Sequence, residues 1–133
     1  METNILRADH GRRHNGKYCA LVRVSTDKQD VENQMFAIKQ YLNGGDHHVE
    51  WFKEEAVSGK TAWAKRPVLN EAIKYCRKTK ATLIIYSLSR LGRRRGDVLN
   101  FFDDVISQGK IKLIVVDYPM LDETTVGFMA VMN

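Results

Sequence analysis

Residues 18–26 read Tyr-Cys-Ala-Leu-Val-Arg-Val-Ser-Thr. The run from Tyr18 to Val24 is almost continuously apolar, too short for a helix and lacking the alternation of a half-wet strand. Such runs suit a central strand of a parallel sheet, buried on both faces. The run ends in polar residues, and on a strand Arg23 and Ser25 leave from the same face.

The pattern repeats on either side. Asp30 to Asn43 carries Val31, Met35, Ile38 and Leu42 at helical spacing, with Asp30 expected to cap the helix and Gly44-Gly45 to stop it. Val49 to Phe52 reads as a second strand, and Glu54 to Lys65 as a loop without periodicity. Pro67 suits the first turn of a helix running to about Thr79, with Val68, Leu69, Ala72, Ile73 and Cys76 on its apolar face. Thr82 to Leu88 is the strongest strand, followed by a basic turn at Arg90 to Arg95. A helix is expected from Gly96 to Gln108, ended by Gly109, then a fourth strand over Ile111 to Val116. Thr124 to Asn133 reads as the start of another helix. Alternating strands and helices imply an α/β fold, a three-layer α/β/α arrangement around a mostly parallel central sheet.

With 133 residues the chain has room for one folded domain, and 44% hydrophobic residues need no disulfide or metal to hold a core. Residues 1–17 are polar and basic, expected to form a loose arm that is neither signal peptide nor membrane anchor. Residues 18–133 form the expected domain. Cys19 and Cys76 read as buried free thiols in a reducing cytoplasm, and no C-x-x-C pair suggests zinc. The formal charge is +5, and the distribution says more than the total. Eleven basic residues lie between Lys60 and Arg95, with Glu71 the only carboxylate among them. Either a solvated basic face or a polyanionic partner explains that run.

Ligands of open α/β sheets gather at the carboxyl ends of the strands. There the first strand offers Arg23 and Ser25, and the third offers Ser87, Ser89, Arg90 and Arg93. An ion pair of Arg23 with Asp27 or Glu55 would be the plain structural explanation. A hydroxyl converging with several guanidinium groups fits phosphoryl transfer at a DNA phosphodiester. Serine attacks phosphorus, and arginines meet the charge that builds on the phosphate oxygens, as a metal does elsewhere. Ser58-Gly59-Lys60-Thr61 lacks the glycine loop of a nucleotide-binding P-loop, and no G-x-G-x-x-G is present. His10, His14, His47 and His48 form no helical metal pair, and Val24-Ser25-Thr26 is not the elbow of a serine hydrolase. No cofactor or metal is expected.

Three blocks in order resemble the resolvase/invertase family of serine recombinases. They are Arg23-Val24-Ser25-Thr26 with Gln29 and Gln34; Val57-Ser58-Gly59 with Arg66-Pro67-Val68-Leu69; and Leu88-Ser89-Arg90-Leu91-Gly92-Arg93. The resemblance covers Tyr18 to the end and implies a resolvase-like catalytic domain. It implies Ser25 as the nucleophile, joined to a 5′ phosphate while a 3′ hydroxyl is freed, with Arg23, Arg66, Arg90 and Arg93 around the scissile phosphate. Gln29 and Gln34 match supporting positions, and Tyr18 and Glu55 are further candidates.

The family often carries Asp where Ser89 stands here, which leaves the carboxylate role of that position open. Its nearby Lys matches either Lys74 or Lys78. Glu54, Glu55 or a water is left as acceptor of the Ser25 proton. The resemblance further implies double-stranded DNA as partner and a bacterial, phage or mobile-element origin. It implies a homodimer that assembles into a homotetramer through a long helix beginning near Thr124, and strand exchange without ATP. A separate DNA-reading domain is expected outside these residues. The competing readings are a non-catalytic DNA-binding remnant and a metal-dependent nuclease.

Overall fold

A computed structural model of the chain describes residues 16–43, 48–55, 61–92 and 95–118. The expected basic arm, Val57-Ser58-Gly59, Arg93 and the helix from Thr124 lie outside the described residues.

Strand β1 (Lys17–Val24) leads through Ser25 to helix α1 (Lys28–Leu42) and then strand β2 (His48–Glu55). A short 3₁₀ turn at Trp63–Lys65 precedes helix α2 (Pro67–Thr79), followed by strand β3 (Thr82–Ile85) and a second 3₁₀ turn at Leu88–Arg90. Helix α3 (Arg95–Phe101) continues as a π-type turn over Phe102–Ser107, and strand β4 (Leu113–Val115) follows. The four strands are parallel, in the order β2-β1-β3-β4.

Alternation along β1 splits the core in two. Cys19 and Leu21 face α2 and α3, with Leu69, Ile73, Cys76, Phe101, Phe102 and Val105. Tyr18, Ala20 and Val22 face α1, with Ile38, Tyr41 and Leu42. Leu83 and Ile85 join the first cluster and Ile84 the second, so β3 repeats the division. This is the three-layer α/β/α fold, the sheet buried on both faces as the apolar runs required.

Several element boundaries differ from the sequence reading. Asp27, not Asp30, caps α1: its carboxylate accepts the Gln29 N–H at 3.0 Å, and its backbone is extended as a cap requires. β2 continues to Glu55 because Arg23 and Val24 of β1 pair with Glu54 and Glu55. β3 stops at Ile85, since the chain folds into the turn that presents Arg90. Gly109 does follow the third helix, where a Cβ would collide with the Val105 carbonyl oxygen. The left-handed residue, however, is Lys110.

Candidate active site

Parallel pairing of β1 with β2 and β3 brings Ser25, Glu54, Glu55 and the Leu88–Arg90 turn to one edge of the sheet. Ser25 is the first residue beyond β1 and only partly exposed. Its Oγ accepts the Asp27 N–H at 3.2 Å and lies 3.5 Å from the Asp27 carbonyl, a separation too long to hold the hydroxyl proton firmly.

Arg23 sits where helix α1 and the sheet meet. The buried Gln34 side chain accepts the Arg23 N–H at 3.0 Å and donates to the Arg23 carbonyl at 2.9 Å. A side-chain amide thereby takes the place of another strand's backbone and fixes the exit of β1. The Gln34 amide also reaches Asp30. Gln29 bonds Asn33 at 3.0 Å on the exposed side of α1 and makes no described hydrogen bond to Ser25.

Arg66 is almost fully buried, at 5% exposure. It precedes Pro67, at the N-terminal end of α2, and its guanidinium is pinned by the Glu54 carboxylate. Nε donates to one oxygen at 2.9 Å and Nη2 to the other. The same guanidinium donates to the Leu91 carbonyl at 2.8 Å and the Arg90 carbonyl at 2.7 Å. Of five guanidinium N–H groups, four are committed to these protein acceptors. In this geometry Arg66 braces the turn that carries Arg90. The partner of this cation, Glu54, has both oxygens engaged, whereas Glu55 is exposed at the end of β2.

Arg90 is the opposite case. Its Nε and Nη1 are buried without any hydrogen-bond partner among the described residues. Nη2 makes one long contact, 3.4 Å, to the hydroxyl of Ser89, which in turn lies 2.7 Å from the Ser87 hydroxyl. Burial lowers the Arg90 pKa first and repulsion from Arg23 second; Asp30 opposes the shift and Arg66 adds to it. A buried cation with empty donors, pressed by two others, is a site made for an anion.

Tyr18 and Lys78 do not reach this edge. Tyr18 is buried at the opposite end of β1, packed in the α1 cluster, because seven residues of extended chain separate it from Ser25. Lys78 lies in the last turn of α2, at the far end from Arg66, and Lys74 is exposed along that helix. One residue at the edge was missed. Asp117 follows β4 and, with Ser87, Leu88, Ser89 and Tyr118, lines an open groove of about 460 Å³. Burial pushes its carboxyl up, against a backbone hydrogen bond that lowers it. Its sequence signal is a carboxylate directly after an apolar strand, the position at which such sheets place functional groups.

Among the described residues, no three His, Cys, Asp or Glu side chains come together as a metal site requires, and no helix is long and apolar enough to cross a membrane.

A search of curated proteins gives no match. Among solved structures, the N-terminal catalytic domain of TP901-1 integrase is similar, with a TM-score of 0.66 at 26% identity. That match covers 87% of this chain and 88% of the other. The C-terminal catalytic domain of ISC1926 TnpA, an IS607-like serine recombinase, shares the fold at a TM-score of 0.57 and 24% identity, covering 75% of this chain and 70% of that one. Residues 19–133 match the family model of the resolvase N-terminal domain, and the chain therefore belongs to the resolvase family of serine recombinases.

Proposed function

We propose that this domain cuts and rejoins double-stranded DNA through a covalent 5′-phosphoserine at Ser25. The observation that carries this reading is Arg90, with two buried nitrogens that have no partner among the described residues, beside Arg23 at the edge that presents the serine hydroxyl.

The chemistry follows from the groups present. Ser25 Oγ attacks the phosphorus, a P–Oγ bond forms and the P–O3′ bond breaks. The serine proton leaves to a base, and the 3′ oxygen takes up a proton as it departs. Arg23 and Arg90 receive the charge on the non-bridging oxygens, and Arg93, matched by the family pattern, is assigned to the same task. Arg66 acts one step removed, holding the carbonyls of Arg90 and Leu91. Rejoining reverses the step with a new 3′ hydroxyl. One phosphate ester replaces another at each stage, so the exchange is close to isoenergetic and needs no ATP. The family pattern further supports a dimer that pairs with a second dimer to exchange strands.

The test works without a defined target sequence. The protein is incubated with a supercoiled plasmid library, quenched with denaturant and digested with nuclease. Mass spectrometry should find a nucleotide adduct on Ser25. Ser25→Ala should abolish the adduct while duplex binding persists. An adduct surviving on another residue would reject Ser25 as nucleophile.

A further inference from the structure

The fold divides the basic run between Lys60 and Arg95. Arg66 and Arg90 go to the Ser25 edge, whereas Arg77 and Lys80 lie at the other end of the sheet. There, where α2 ends and β3 and β4 begin, is a cavity of about 510 Å³ whose lining includes Arg77, Lys80, Lys110 and Lys112 and, among the described residues, no carboxylate. We propose that this basic cavity is a second DNA contact, binding backbone phosphates of a DNA stretch other than the one cut at Ser25.

Two independent features support it. The first is the net charge of the lining. Two helical segments end beside the cavity, and each C-terminus contributes about half a negative charge at most. Even without Lys80, the three full positive charges of Arg77, Lys110 and Lys112 exceed that sum by about two. The dipole of α2 is in any case already met by Arg77 and Lys78 in its last turn.

The second feature is backbone conformation. Lys80 and Lys110 both have left-handed backbones, with φ of 65° and 59°. These are positions where glycine or asparagine is favoured and a lysine costs about 1 kcal/mol. Both strained lysines line the same cavity. The Arg77 guanidinium lies near Gly109 in the same lining, since a Cβ there would come within 3.3 Å of Nη2. A sequence indifferent to charge here would have less strained residues to choose from.

The location separates this contact from the reacting phosphate. Lys80 and Ala81 lie level with the start of β1, because Tyr18 pairs with Thr82. Ser25 is then about 25 Å away along the sheet, at roughly 3.3 Å per residue. DNA seated at Ser25 therefore meets the cavity only through a flank bent around the domain or through a second duplex.

The inference rests on the proposed DNA strand exchange, and its test separates the two. The double variant Lys110→Asn, Lys112→Gln removes two charges and puts asparagine on the left-handed backbone of residue 110, so its Tm should equal or exceed that of the parent chain. The Ser25 adduct, detected by mass spectrometry, should still form, which reads the active site alone. On a long duplex, the slope of log affinity against log salt should fall by about two, near 0.9 for each phosphate that is no longer neutralised. An unchanged slope overturns the second contact whatever the adduct does. If the double variant misfolds, Arg77→Gln with Lys112→Gln makes the same measurement from positions without backbone strain. Inorganic pyrophosphate supplies the remaining arm. A thermal shift by pyrophosphate that the variant loses, with an unchanged DNA slope, would make the cavity a small-anion site and overturn the DNA assignment.

Discussion

Arg90 and Arg66 are both guanidinium groups taken from water, and their environments set them to different work. Arg66 has a carboxylate and two carbonyls, and removing that carboxylate leaves a buried charge unpaired. Glu54→Ala should cost about 3–5 kcal/mol in urea unfolding, and Glu54→Gln less, because the amide keeps an acceptor and the shape. A loss under about 1 kcal/mol for the alanine variant would show the pair to be far better solvated than its burial implies. Arg90 has no such partner among the described residues, and its lowered pKa means that folding disfavours its charge. Arg90→Met keeps length and removes charge, so it should stabilise the fold by about 1 kcal/mol, raising Tm by about 4 °C, while the Ser25 adduct disappears. A lower Tm in scanning calorimetry would refute the idea that Arg90 is strained for function. At this scale the sequence was informative where a rule links neighbours. Arg23 and Ser25 are singled out by the carboxyl-end rule, although Ser25 lies one residue beyond β1 and so outside its alternation. The Glu54–Arg66 pair does not, because Glu54 lies in a stretch without periodicity and its partner is brought by a distant helix. Tyr18 was placed by resemblance of residue type, which does not distinguish the two ends of a strand.

Elements were legible in so far as their signals are local. The strand and helix cores follow from apolar runs and three-to-four spacing; the ends depend on tertiary pairing. β2 gains residues because β1 needs a partner as far as Val24, and β3 loses them because the chain must turn before Arg90. Asp27 wins the cap of α1 over Asp30 because its extended backbone aims the carboxylate at a free N–H. The end of β4 carries a consequence for pH. Burial raises the Asp117 carboxyl, so the folded state holds that proton more tightly than the unfolded chain does. Its contribution is therefore favourable at low pH and is lost as pH rises from the ordinary carboxylate value of 3.8 through the raised one. Asp117→Asn should remove this falling component, so that above pH 3.8 the Tm of the variant falls less, or rises more, with pH than that of the parent chain. If the variant's curve overlays that of the parent, Asp117 is solvated in the fold.

At the scale of the molecule, the sheet ties the catalytic edge to the core. Cys19 in β1 and Cys76 in α2 lie in the same apolar cluster, and the Cys19 thiol donates to the Ala72 carbonyl at 3.6 Å. Both thiols are free and buried. Contact with Cys76 and burial push the Cys19 thiol far above its usual range, leaving too little thiolate to react. The Cys19 thiol, fully buried between β1 and α2, becomes accessible only when α2 leaves β1. The N-terminal end of α2 carries Arg66, which holds the Arg90 turn, so docking of this helix and assembly of the active site are one event. A thiol reagent under native conditions should therefore label Cys19 at a free energy of opening equal to that of global unfolding followed by the fluorescence of Trp51 and Trp63. Labelling at markedly lower free energy would mean that α2 opens by itself. Arg66 would then release the Arg90 turn many times for each unfolding of the sheet, and the bracing role assigned to it would fail.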